Sequence, residues 1–191
     1  MTHDSSWERL RVHTDRLCLR VAAAADAEPL HELFADAEVM RALGKRPVST
    51  LAQVEAMIDE GTRGWRAAGL GPFVLETAGP HPRVVGQAGL MVFDSRDWTP
   101  STWERAGPHA QPELGWSLIP AHRGCGYATE AAAAIRDWAC GRSIGRLVSL
   151  ISPGNVPSQR LAERLGAVPA ETVTPADTGR PTVVWRHRPC G

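Results

Sequence analysis

The chain predicts one mixed α/β domain spanning 1–191, with elements in the order βααβββαβαββ. Three observations lead there. Segments with apolar residues at every second position alternate with segments whose apolar residues recur at helical intervals. The length of 191 residues suffices to bury one sizeable core. No internal repeat and no linker-like stretch divides the chain.

The elements follow in order. Arg16 to Val21 sets Leu17 and Leu19 between charged or polar neighbours, the period of a half-buried strand. Asp26, Glu28 and Pro29 suit a first helical turn, and Leu30, Leu33, Phe34 and Ala37 share one face. After a break at Gly44 to Pro47, Thr50 and Gln53 have capping-box spacing; Leu51, Val54, Ile58 and Trp65 continue a second helix until Gly69. Phe73 to Thr77 and Val84 to Phe93 read as a hairpin around Gly79, Pro80, His81 and Pro82. Asp94 to Pro112 is a long polar connection that holds Trp98 and Trp103. Glu113 to Ile119 is a fourth strand, ended by Pro120.

A third helix starts at Ala128, with Ala131, Ile135 and Trp138 on one face, and ends near Gly141. Leu147 to Ile151 is a short buried strand. Asn155 to Leu165 is the fourth helix, with Pro157 in its first turn, Leu161 and Leu165 facing inward, and Gly166 as its stop. Ala167 to Val173 and Thr182 to His187 close the chain as a hairpin.

Charge narrows the function classes. Lys plus Arg and Asp plus Glu each number 21, so no surplus of cations gathers nucleic acid or an anionic membrane surface. The opening MTHDSSWERL is charged where a signal peptide is apolar, and no run approaches the roughly 18 apolar residues of a membrane span. A cytoplasmic protein without nucleic-acid or membrane partners is expected. Cys18, Cys125, Cys140 and Cys190 form no C-x-x-C pair, which argues against a zinc site or a disulfide framework and for reduced thiols. The charge is nevertheless polarised: residues 26–60 hold eight acids against three bases, and residues 136–164 hold five Arg against two acids.

Chemistry concentrates between Glu113 and Glu130, where a strand runs through a turn with Gly124 and Gly126 straight into a helix. Small residues there admit a ligand close to the backbone, and the free amides and dipole of the first helical turn favour an anion such as a pyrophosphate. Neither G-x-G-x-x-G nor G-x-x-x-x-G-K-[ST] is present, which removes the main support for Rossmann and P-loop readings.

The run Arg123-Gly-Cys-Gly126-Tyr-Ala128 resembles the [Q/R]-x-x-G-x-[G/A] acetyl-coenzyme A signature of the GNAT acetyltransferase superfamily. Thr14-Asp-Arg16-Leu-Cys-Leu-Arg20, Asn155-Val-Pro-Ser158 and Leu165-Gly166 are similar to its RimJ/RimL-like branch. The resemblance covers roughly residues 14 to 188. It implies a GNAT-like fold, a mixed and mostly antiparallel sheet of about seven strands flanked by four helices. It also implies acetyl-coenzyme A as cofactor, with the pantetheine arm along the backbone of Trp116, Leu118 and Ile119, where the fourth strand splays from the fifth. The pyrophosphate then rests on the amides of Arg123, Gly124, Cys125, Gly126, Tyr127 and Ala128. Arg123 adds charge or caps the turn, and Cys125 is a small filler or a thiol near the thioester.

Transfer to an amine needs a base and a proton for the departing thiolate. By resemblance Glu113 is the base, or else a strand-end carboxylate that binds the substrate cation, and Ser158 is the acid in place of the family's tyrosine. Asn155 bonds the pantetheine amide or simply caps the fourth helix. Two departures stand out: Ala167 follows Leu165-Gly166 where the family has an aromatic residue, and the connection from Asp94 to Pro112 is long. Its tryptophans form a substrate wall or an oligomer contact, or cover the core. The implied function is an acetyl-coenzyme A dependent N-acetyltransferase. It transfers to a primary amine, on a protein N-terminus or a small molecule, by direct attack on the thioester, as a monomer or homodimer. The alternative is a non-catalytic acyl-coenzyme A sensor.

Overall fold

Strand β2 (Leu17–Val21) buries Leu17, Leu19 and Val21 and leaves Cys18 and Arg20 only half-buried, the period-two pattern of a strand with one face inward. It belongs to a computed structural model that describes residues 6–189. β1 (Arg11–His13) precedes β2, and α1 (Ala27–Ala35), α2 (Ala37–Ala42) and α3 (Leu51–Ala68) follow it. Then come β3 (Pro72–Thr77), β4 (Val84–Asp94), β5 (Thr99–Pro100), α4 (Trp103–Ala106) and β6 (Ala110–Leu118). The chain finishes with α5 (Tyr127–Cys140), β7 (Val148–Ile151), α6 (Val156–Arg164), β8 (Val168–Val173) and β9 (Thr182–Arg186).

The strands join in one sheet, in the order β1-β2-β3-β4-β6-β7-β9-β8, with β5 folded back on the end of β4. Every neighbouring pair is antiparallel except β6 and β7. The mixed, mostly antiparallel plan expected from the chain is therefore present, and the described residues form nine strands instead of about seven and six helices instead of four. The additional strands, β1 and β5, have three and two residues, too few to show a period. The first expected helix is two: Asp36, in extended backbone (φ −70°, ψ 118°), ends α1, and its carboxylate accepts the Val39 amide at 2.8 Å to cap α2. The long polar connection contains β5 and α4, and β6 begins within it at Ala110.

The main apolar cluster joins α5 through Ala131, Ala132, Ile135 and Ala139 to Leu17, Phe73, Leu90 and Leu114 of the sheet. A second cluster packs α1, α2 and α3 on Val74 and Ile119, and a third gathers Ile151, Ala162, Ala167 and Trp185 under α6. Trp98, from the connection, is buried over Val148 and Val184, so this tryptophan covers core. Cys18 and Cys125 are free thiols, but Cys140 is disulfide-bonded, which corrects the expectation of reduced thiols at that position. Cys190 lies outside the described residues. Among the described residues no helix is long and apolar enough to cross a membrane.

Candidate active site

Strand β6 has two unlike edges. Toward β4 it is paired residue by residue from Gly86↔Leu118 to Asp94↔Ala110. Toward β7 a single parallel pair, Glu113↔Val148, is formed before the strands part. The Ile119 amide donates to the Val85 carbonyl at 3.0 Å, so by alternation the backbone groups of Leu114, Trp116 and Leu118 point to the opening on the β7 side. Trp116 and Leu118 thus keep backbone groups on this edge. Ile119 does not: its N–H is spent on β4 and its side chain is buried.

The side chains alternate between faces. Leu114, Trp116 and Leu118 lie on the α5 side, in or against the main cluster. Glu113, Gly115 and Ile119 lie on the other side, where Ile119 joins the α1–α3 cluster and Val148, beside Glu113, packs under Trp98. Glu113 is partly accessible, yet its carboxyl is closely surrounded. That desolvation pushes its pKa up to about 7, against the smaller opposing effect of a long 3.4 Å bond from the Leu150 amide. A Cβ at position 115 would stand 3.2 Å from Glu113 Oε2, so Gly115 leaves room for the carboxylate.

Across the opening, Asn155 caps α6 by accepting the Ser158 amide at 3.2 Å. The Trp116 indole N–H donates to Ser158 Oγ at 3.3 Å, tying β6 to α6. The Ser158 hydroxyl therefore receives one hydrogen bond and retains its own proton to give. Trp116 also packs on the Ile151, Ala162, Ala167 and Trp185 cluster, so Trp185 and Trp116 supply aromatic packing beside Ala167.

Past Ile119 the chain turns through Gly124 and Gly126, both in left-handed backbone at φ +79° and +83°, and enters α5 with no side chain capping its first turn. The amides at the start of this 14-residue helix therefore have no side-chain acceptor, which fits an anionic pyrophosphate. The Arg123 guanidinium bonds Glu38 at 3.1 Å and lies 3.7 Å from Asp36, linking the turn to α2. Cys125 is exposed, and Tyr127 and Ala128 pack against the main core.

Sequence reasoning missed the clamp behind this turn. Arg16 donates to the Cys125 carbonyl at 2.9 Å, stacks 4.9 Å from the Tyr127 ring centroid and pairs with Glu130 at 2.6 Å. Thr14 adds a 2.6 Å bond to the same carboxylate. The Thr14–Arg20 stretch was the available signal, but residues 114 apart announce no contact by spacing. Gly115, two residues after a strand glutamate, was the other.

Comparison with known proteins agrees with this geometry. A 62-residue stretch is 40% identical to the uncharacterized protein YkkB of Bacillus subtilis, spanning 32% of this chain and 36% of that one. The uncharacterized N-acetyltransferase p20 of Bacillus licheniformis is 26% identical over 159 residues, 81% of this chain and 80% of its own. The crystal structure of the acetyltransferase from Agrobacterium tumefaciens superimposes with a TM-score of 0.74 at 28% identity, covering 94% of each chain. RimL, the ribosomal L7/L12 alpha-N-protein acetyltransferase crystallised with coenzyme A, shares the fold with a TM-score of 0.72 at 15% identity, over 94% of this chain and 98% of its own. The family description "Acetyltransferase (GNAT) domain" matches residues 16–168, and with the splayed edge of β6 and the uncapped glycine turn before α5, it shows that the chain belongs to the GNAT acetyltransferase family.

Proposed function

We propose that this acetyltransferase acts on a primary amine, with Glu113 taking the proton of the attacking amine and Ser158 giving a proton to the departing thiolate. GNAT acetyltransferases use acetyl-coenzyme A, which when bound supplies an acetyl thioester with a thiolate leaving group. The residues suited to hold it are the amides of Gly124 to Ala128 and the open backbone of Trp116 and Leu118. Asn155 keeps Ser158 at the start of α6.

One observation carries the reading: β6 sets Glu113 and the Trp116–Ser158 pair on opposite faces of the sheet, on either side of the opening to β7. A base on one face meets the nucleophile as it arrives, and an acid on the other meets the leaving group as it departs. At a pKa of about 7 Glu113 exchanges its proton near neutrality, whereas an ordinary carboxylate is too weak a base there. The face with Glu113 is also the face of α1–α3, and the stretch from Ala27 to Ala68 holds seven acids against five bases. That charge suits a cationic acceptor. A protein N-terminus, the acceptor named for RimL, is one such amine, and small-molecule amines are the other.

The test is release of free thiol from acetyl-coenzyme A with a panel of small amines, peptides and aminoglycosides. Release with an amine is the expected result. Binding of the cofactor without release from any acceptor would favour a sensor, and no rise in melting temperature with coenzyme A would overturn both readings.

A further inference from the structure

Two side chains occupy the place where the β6/β7 ladder stops. The Leu147 carbonyl accepts the His187 amide at 2.9 Å on the β9 side, so by alternation Val148 and Leu150 turn their backbone groups toward β6. Continuing the parallel ladder one step beyond Glu113↔Val148 would pair the Leu150 amide with the Leu114 carbonyl. No ladder pair beyond Glu113↔Val148 forms between the two strands. The Leu114 carbonyl accepts the Ser149 hydroxyl at 2.6 Å, and the Leu150 amide donates to Glu113 Oε1 at 3.4 Å.

Ser149 and His187 are both buried, at 1% and 5% exposure, so their orientation is set by each other and not by water. Ser149 Oγ lies 3.0 Å from His187 Nε2. A serine has one proton, and here the Leu114 carbonyl takes it, so the ring must supply the hydrogen of the second bond. His187 is then the neutral tautomer protonated on Nε2, and its Nδ1 is a bare lone pair. In agreement, Nδ1 is buried with no hydrogen-bond partner among the described residues. Burial, and after it the charge of Arg136, pushes the His187 pKa down to about 4, which keeps the ring neutral at physiological pH.

We propose that Ser149 and His187 are positioning residues that hold β6 and β7 apart, by occupying the Leu114 carbonyl that would otherwise close the next rung. The role rests on the acetyltransferase reading above, in which the opening admits the donor. It extends that reading in two ways. The open backbone of Trp116 and Leu118 is kept available by a hydrogen bond rather than by strand curvature alone, and the Leu150 amide is released to orient the Glu113 carboxylate. His187 acts only through Ser149, and Ser149 only through the strand.

The experiment compares the full chain with Ser149→Ala, Ser149→Thr and His187→Leu. It measures hydrogen exchange at the Leu150 amide by NMR and the dissociation constant of coenzyme A by calorimetry. In Ser149→Ala the freed carbonyl takes the Leu150 amide, so exchange there slows at least tenfold and coenzyme A binds at least tenfold more weakly. Ser149→Thr keeps the hydroxyl and restores both. His187→Leu frees the hydroxyl from its fixed donor and shifts both readouts in the direction of alanine, which provides a second route if Ser149→Ala is poorly folded. Unchanged exchange at Leu150 in both Ser149→Ala and His187→Leu would overturn the proposal, as would unchanged coenzyme A affinity in variants whose Leu150 exchange has slowed. Should the unmodified chain not bind coenzyme A, the acetyltransferase reading fails, and the exchange arm alone decides whether this pair holds the strands apart.

Discussion

The two edges of β6 are made of the same residues and behave differently. On the β4 side the strand is zipped from Ala110 to Leu118, and on the β7 side it is held at Glu113 alone. Side chains point to the faces of a sheet, so hydrophobic pattern cannot distinguish one edge from the other. What distinguishes them is the partner of each backbone group. On the closed edge glycine lets the backbones meet; on the open edge Ser149 and Glu113 take the bonds that a neighbouring strand would make.

The largest expected effect comes from breaking the closed edge. A Cβ at Gly86 would lie 2.2 Å from the Ser117 carbonyl oxygen and 2.8 Å from Leu118 Cα, both main chain and unable to yield cheaply. Gly86→Val should therefore destabilise the protein by about 3 kcal/mol or more and lower Tm by roughly 10 °C. Gly145→Ala, where an added Cβ meets nothing within 4 Å, is the control and should leave Tm within about 2 °C. Equal melting temperatures for the two variants would mean that the close approach at Gly86 does not matter.

At the open edge the trade runs the other way. Glu113→Gln should lower kcat by about 10²- to 10³-fold and leave coenzyme A affinity within about twofold. In the unmodified enzyme kcat/KM should rise with pH through about 7, because the base is active only when ionised. The same shift makes a stability statement. An ordinary glutamate in the unfolded chain ionises near 4.5, so the cost of ionising this one in the fold is absent below that pH, grows through the interval, and is complete above about 7. Glu113→Gln should accordingly gain up to about 3 kcal/mol over the parent at pH 8 and little at pH 4. Urea midpoints at the two pH values check it; a difference that does not change with pH would remove the raised pKa.

How much of this was legible beforehand depends on range along the chain. The Thr50–Gln53 capping box forms as its spacing predicts, with Gln53 N–H to Thr50 Oγ1 at 3.3 Å and Thr50 N–H to Gln53 Oε1 at 3.2 Å, and Gly69 ends that helix in left-handed backbone. The glycine turn before α5, and Asn155 as the cap of α6, are equally local. The strand period marked the buried face of β2, whereas Glu113 was singled out by resemblance, from its place on the fourth strand. The pairs that shape the site are not local. Arg16 reaches Glu130 over 114 positions, Trp116 reaches Ser158 over 42, and Ser149 reaches His187 over 38. No periodicity encodes such pairs, and they follow only once the sheet order places β7 between β6 and β9. Ile119 shows the limit from the other direction. Its place on the fourth strand, where the family's pantetheine arm pairs, implied a backbone contact, but the strand's alternation turns its amide to β4.

The smallest effect tests whether the opening's far side does chemistry or only packs. Trp116→Phe keeps an aromatic ring against the Ile151, Ala162, Ala167 and Trp185 cluster and keeps the main-chain groups at position 116, and it deletes one hydrogen bond, to Ser158 Oγ at 3.3 Å. A neutral hydrogen bond contributes about 1 kcal/mol, so turnover should fall about fivefold with KM for acetyl-coenzyme A unchanged. The indole N–H withdraws electron density from the Ser158 oxygen and so strengthens its O–H as a donor to the leaving thiolate. A thioester whose thiol is more acidic needs that proton less. The deficit of Trp116→Phe should therefore shrink as the leaving thiol becomes more acidic, whereas a deficit equal for every donor would assign the Trp116–Ser158 bond to packing between β6 and α6 and leave the acid unidentified.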